Sequence, residues 1–286
     1  MAPTTHTFTD DYGVVVTYYE FPLPEGQQPR AVVQLAHGIG EHAGRYRHVA
    51  QALNDAGYAV YADDHRGHGQ TGLAQWGGDA TKLGRLGPGG LRATIEDLRQ
   101  LGGIIRGRHP NVPVILLGHS WGSLMAQRLI NAHASDYDAV VLTGTAYRTL
   151  GSMRAGNLNG RHKHLGTTGQ EWLSRDPVIQ TGFRQDPLNF AAEPLAKFGV
   201  LDAMRLLGRP ARNLERDLPL LIQIGSDDSL GGEKSVVKLA NAYRTRSGLS
   251  DVTVHVYQHA RHEVFNEINK DEVIADLVRW LDERFA

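Results

Sequence analysis

The residues most suggestive of chemistry are Gly118-His119-Ser120-Trp121-Gly122. A serine hydroxyl becomes a nucleophile when a sharp turn presents it and a neighbouring base takes its proton. G-x-S-x-G recurs by chance in many sequences, so its setting decides its meaning. Here the aliphatic run Val114–Leu117 precedes it and an amphipathic helical pattern, Gly122–His133, follows. Strand, turn and helix in that order are what an exposed, strained nucleophile requires. Glycines on either side keep side chains out of a turn where they would strike neighbouring backbone. At a helix start, free N–H groups and the positive end of the helix dipole face the oxygen that gains charge when a carbonyl is attacked. The N–H of Trp121 is one expected oxyanion donor. The second is expected from the Gly-rich stretch His37-Gly38-Ile39-Gly40, which follows the apolar run Val32–Ala36, and is assigned to the N–H of Ile39.

Serine chemistry also needs an imidazole, itself oriented by a carboxylate. Gly225-Ser226-Asp227-Asp228-Ser229-Leu230 follows the apolar run Leu220–Ile224, and Gln258-His259-Ala260-Arg261-His262-Glu263 follows Val252–Tyr257. Serine, acid and histidine therefore come in the order that an elbow of this kind uses. Two aspartates and two histidines compete. We read Asp228 as the acid and His262 as the base, with Asp227 bracing its loop and His259 at the rim.

These pieces need a scaffold that brings their ends together. Thr5–Phe8 and Val14–Phe21 alternate in polarity and read as a hairpin. Beyond them, short apolar runs alternate with helical patterns: Val32–Ala36, Tyr46–Ala56, Tyr58–Ala62, Leu91–Arg108, Val114–Leu117, Gly122–His133 and Ala139–Leu142. The alternation resumes with Leu220–Ile224, Val236–Tyr243, Val252–Tyr257 and Glu272–Phe285. Apolar runs of this length suit strands buried on both faces, so the expected fold is α/β, a mostly parallel central sheet flanked by helices. Catalytic loops then lie at the carboxyl ends of the strands. Residues 145–217 break the pattern, with weak periodicity and no clear strand, and read as a cap inserted into a core of 1–144 and 218–286. That segment carries eleven basic and seven acidic residues. The excess suits a solvated face, or attraction for an anionic substrate or interface.

The 286 residues carry a net charge of −1 and no cysteine. The balance gives no global attraction for nucleic acid, and no basic helix or aromatic-basic surface supplies a local one. Disulfides, Cys-based metal sites and Cys nucleophiles are excluded together. MAPTTHTFTD lacks the features of a signal peptide, and no apolar run approaches a membrane span, which makes cytoplasmic the expected location. Gly67–Gly72 matches G-x-G-x-x-G. We read that as a false match, because the glycines do not begin directly after the strand, no strong helical pattern begins at Gly72, and no acidic residue lies near Gly89.

Taken together, the motifs resemble the monoacylglycerol lipase and lysophospholipase group of α/β-hydrolases over nearly the whole chain. His37–Tyr46 resembles that group's oxyanion loop, Asp64–Thr71 its next strand-end motif, Gly118–Gly122 its elbow and Gly225–Leu230 its acid loop. The resemblance implies an α/β-hydrolase fold with a cap, a serine esterase acting on a small ester or lipid, and Asp228 as the acid. It accounts for His65 and His68 without a metal, as ties beneath the oxyanion turn, and it implies no cofactor. Gly38, Phe183, Phe190 and Phe198 are expected near the substrate, and transient membrane contact through the cap is compatible with the group. Trp121 and Ser123 stand where the group usually has Met and a second Gly; the Trp keeps the backbone donor and is expected to narrow the pocket. Short-chain esterase, lysophospholipase, thioesterase and amidase activities are rivals of the same chemistry. A ligand-binding homologue without catalysis is a rival of another class.

Overall fold

A computed structural model describes residues 2–154, 156–191 and 193–285. In chain order the principal elements are β1 (Thr4–Thr9), β2 (Val15–Phe21), β3 (Val32–Ala36), α1 (Arg47–Asp55), β4 (Ala59–Asp63), α2 (Gly69–Gln75), α3 (Gly90–Arg108), β5 (Val114–His119) and α4 (Trp121–His133). They continue with β6 (Ala139–Thr143), α5 (Pro177–Gln185), α6 (Pro194–Arg205), β7 (Leu220–Gly225), α7 (Gly232–Ala242), β8 (Val252–Tyr257) and α8 (Lys270–Phe285). The strands form one sheet in the order β1-β2-β4-β3-β5-β6-β7-β8. β1 pairs antiparallel with β2, and β2 with β4, while every later pairing is parallel.

The apolar runs become central strands because both of their faces are covered. Along β5, Val114 and Leu116 point into one layer and Ile115 and Leu117 into the other, as period-two alternation requires. The first layer is closed by α3, α4 and α7 through Leu98, Leu101, Leu129 and Leu239; the second by α1 and α8 through Val49, Leu53, Leu277 and Trp280. Each fully buried aliphatic side chain of this kind contributes roughly 1.5–3 kcal/mol of transfer free energy.

Two elements depart from the sequence expectation. α2 starts at Gly69, inside the Gly-rich motif where no helical pattern was legible. Its glycines serve packing, since a Cβ on Gly72 would lie 2.5 Å from the Gly67 backbone carbon and 2.6 Å from Leu83. The segment between β6 and β7 contains α5, α6 and short 3₁₀ turns, with Gly199 at φ +80° breaking α6. α5 is announced by Asp176, whose carboxylate accepts from the Val178 N–H, and by Pro177 at its first position.

Candidate active site

The turn between β5 and α4 puts Ser120 at φ 51°, ψ −120°, a backbone state that a non-glycine residue occupies only under constraint. The constraints are visible. The Ser120 N–H donates to the Thr143 carbonyl at 2.9 Å, and the Ser123 hydroxyl donates to the Ser120 carbonyl at 2.6 Å. A Cβ on Gly122 would lie 2.2 Å from the Ala36 carbonyl oxygen, and one on Gly118 would lie 2.7 Å from the Gly122 oxygen. The elbow therefore packs backbone to backbone against the end of β3, and glycine is required at both places.

The sheet brings the three chain-distant groups together. His262 Nε2 lies 2.7 Å from Ser120 Oγ, and His262 Nδ1 lies 3.0 Å from both carboxylate oxygens of Asp228. With Nδ1 donating to the carboxylate, Nε2 is left to accept the serine proton. All three side chains are buried. Burial disfavours the imidazolium of His262, but the charge and hydrogen bonding of Asp228 outweigh it and the net shift is upward. His119, whose ring lies 5.0 Å from that of His262, is pushed down to about 4 by burial and by its neighbour. It stays neutral and holds Thr143 Oγ1 at 3.0 Å.

The competing residues lie elsewhere. Asp227 pairs with Arg161 at 2.9 Å and its N–H donates to the Ala260 carbonyl, so it braces the loop. His259 is exposed at φ 62°. The two loops touch at Gly225, where a Cβ would lie 2.1 Å from the Ala260 oxygen.

Ile39, Ser120 and Trp121 line a common cavity. Trp121 opens α4, so its N–H belongs to the first turn that lacks intrahelical acceptors. The Gly38 N–H, in contrast, is occupied: it donates to Glu41 Oε1 at 2.6 Å. Gly38 itself approaches Ser120, for a Cβ there would lie 3.1 Å from Ser120 Cβ. Beneath this turn, His37 Nε2 accepts from the His65 N–H at 3.1 Å, and His65 reaches Asp63 Oδ2 at 2.7 Å. Among the described residues no group of three potential ligands is arranged to hold a metal ion.

The cavity holds about 200 Å³ and is walled by Leu124, Met153, Leu158, Trp172, Leu206 and Leu230. Most of its outer wall comes from residues 150–172 and 203–207 of the segment between β6 and β7. The three phenylalanines expected near the substrate are not among its lining residues. Phe183 is buried with Trp172 and Leu173 beneath the Arg45 guanidinium, Phe190 donates its N–H to the Gly40 carbonyl at 2.9 Å, and Phe198 packs on the Trp121 ring at 4.9 Å. Phe183 and Phe198 thus back the lining residues Trp172 and Trp121. Trp121 does border the cavity, with its ring stacked on His68 at 5.0 Å.

Sequence reasoning also passed over a buried ion cluster beside the cavity. Arg45 donates to both oxygens of Glu263 at 2.7 Å and to Glu41 Oε2 at 2.5 Å, and the Tyr46 hydroxyl donates to Glu41 Oε1 at 2.6 Å. The only local signal for it was the four-residue spacing of Glu41 and Arg45.

Comparison with known proteins places these features in context. A family model described as serine aminopeptidase, S33, matches residues 27–269. A monoacylglycerol lipase of Mycolicibacterium smegmatis is 33% identical, with 96% of each chain covered. The monoglyceride lipase of Homo sapiens is 27% identical over 90% of this chain and 84% of that one. Among solved structures, a highly thermostable carboxyl esterase from Bacillus coagulans superposes with a TM-score of 0.83 at 25% identity, covering 100% of both chains.

Proposed function

We propose, for a chain that belongs to the serine aminopeptidase S33 family, that Ser120, His262 and Asp228 cleave a monoacylglycerol-like ester by way of an acyl-enzyme. The chain is a carboxylic ester hydrolase of the α/β-hydrolase fold; the residue roles and the substrate are our reading. The observation that carries it is the 2.7 Å contact from His262 Nε2 to Ser120 Oγ, backed by Asp228 on the other ring nitrogen.

In the first step Ser120 Oγ bonds to the ester carbonyl carbon while His262 Nε2 takes its proton. The carbonyl oxygen, now anionic, accepts from the N–H groups of Ile39 and Trp121. The carbon–oxygen bond to the alcohol then breaks, and His262 gives its proton to the departing alkoxide. Water repeats the sequence on the acyl-serine, with His262 again taking and returning one proton. Asp228 keeps the imidazole in the useful tautomer throughout.

An acyl chain suits the cavity, whose walls are almost wholly apolar. The relatives named as lipases of monoacylglycerol point to a glycerol monoester as the substrate class. Residues 145–217 act in this reading as the cap, and its exposed Leu150, Val200, Leu201 and Met204 are the surface that meets lipid transiently. Ser120→Ala decides the central assignment. It should abolish fluorophosphonate labelling and lower turnover of a p-nitrophenyl ester by several orders of magnitude, with the fold intact. Wild-type turnover by the purified variant would refute it.

A further inference from the structure

The cluster of Glu41, Arg45 and Glu263 touches neither the reacting atoms nor the cavity lining, yet it joins the two loops that must be held in register for acyl transfer. Glu41 and Arg45 follow the oxyanion turn after β3, and Glu263 is the residue next to His262. Glu41 uses one carboxylate oxygen to accept the Gly38 N–H at 2.6 Å, which fixes the backbone just before Ile39, a residue that lines the cavity. Its other oxygen takes Arg45, and the same guanidinium closes a two-pronged contact on Glu263. Asn266 Nδ2 donates to Glu263 at 2.9 Å from the far side. Side-chain exposure is 11% for Arg45, 3% for Glu41 and 4% for Glu263.

We propose that Arg45 is a positioning residue that locks the oxyanion loop to the histidine loop, so that the donor at Ile39 and the base at His262 are set by one buried ion cluster. The inference rests on the acyl-enzyme reading above. A buried guanidinium shared by two carboxylates has a fixed fork geometry that a flexible ammonium does not reproduce. The cluster also leaves one net negative charge near the imidazole. The groups facing His262 are Asp228 from the loop after β7, His119 from the end of β5, Glu263 from its own loop and Glu41 from the loop after β3, with the Trp172 ring above it. Both glutamates favour the imidazolium, so altering the cluster must move the titration of the base as well as the rate.

Two variants test the cluster. Glu263→Gln keeps the shape but removes a negative charge, so the acid limb of the kcat/KM profile should move to lower pH. Arg45→Met removes the cation that keeps Glu263 ionised against its burial, so that variant is read by its rate rather than by its limb. Arg45→Met should lower kcat for a p-nitrophenyl ester by about 10- to 100-fold, less than the roughly 10²- to 10³-fold lost when an oxyanion donor is removed outright, with KM changed little. Arg45→Lys should recover part of that loss. Fluorophosphonate labelling separates the two readings. Slowed labelling at Ser120 in folded Arg45→Met supports the positioning role, whereas absence of labelling in the wild type would defeat the acyl-enzyme reading instead. If Arg45→Met does not fold, the isosteric Glu263→Gln decides by its pH profile alone. A folded Arg45→Met with wild-type kcat, or a Glu263→Gln limb that stays in place, overturns the proposal.

Discussion

In the proposed acyl transfer, the hydroxyl of Ser120 is useful only while His262 Nε2 is free to accept its proton. Because Asp228 raises the affinity of that imidazole for a proton in spite of burial, the ring is protonated and inactive at low pH. kcat/KM should therefore fall as pH falls through a value above the usual 6.5. Asp228→Asn reverses the sign: the raising charge is gone, and the amide presents a donor to a nitrogen that must itself donate. The acid limb should move to lower pH, and kcat above it should drop by roughly 10³- to 10⁴-fold. A pH profile of both proteins checks this; an unmoved limb would mean that another group titrates. The choice of Asp228 over Asp227 was legible only through the acid-loop resemblance, since adjacent aspartates look alike to composition and spacing. Successive side chains leave the loop in different directions, so Asp228 meets His262 Nδ1 while Asp227 meets Arg161.

At the scale of elements, the site depends on two backbone crossings that admit no side chain. The crossing of the elbow over the end of β3 is the one to test, since a Cβ on Gly122 meets the Ala36 and His37 carbonyl oxygens at 2.2 and 2.5 Å. Both contacts are backbone, so β3 or α4 must shift. Gly122→Ala should cost about 2 kcal/mol or more, read by urea unfolding; a loss below half a kilocalorie would show that the crossing is softer than its geometry. The central strands were legible because burial on both sheet faces selects apolar runs, unbroken in Val114–Leu117 and broken only by Gln34 in Val32–Ala36. α2 was illegible because glycines carry no periodicity. The pocket was illegible for another reason: Phe183, Phe190 and Phe198 look like lining on composition, but their direction is fixed by how the 145–217 segment docks on the core. Leu150, Met153 and Leu158, which do line the cavity, sit beside a turn and at the start of a single 3₁₀ turn, too short for a period to mark a face.

The whole molecule has almost no net charge, yet its charge is unevenly distributed along the chain. Residues 145–217 hold an excess of basic residues while the remainder is acidic. The exposed Val200 and Leu201 lie next to the break in α6 and outside the cavity lining. If this face meets lipid, the double variant Val200→Asp, Leu201→Asp should bind anionic vesicles several-fold more weakly, since buried apolar area and cationic attraction are both reduced. Hydrolysis of a water-soluble short ester should be unchanged. Vesicle co-sedimentation equal to wild type at low salt would remove the membrane from the picture.

Trp172, from the 145–217 segment, has its ring centroid 4.7 Å from that of His262 and lines the cavity. An excited indole gives up an electron more readily to an imidazolium than to an imidazole, so its emission is dimmed when the neighbouring ring carries a proton. This enzyme thus contains its own optical gauge of the base. Fluorescence recorded against pH, with no ester present, should brighten through the same inflection that governs turnover, and Trp172→Phe should erase that component while the other three indoles continue to glow.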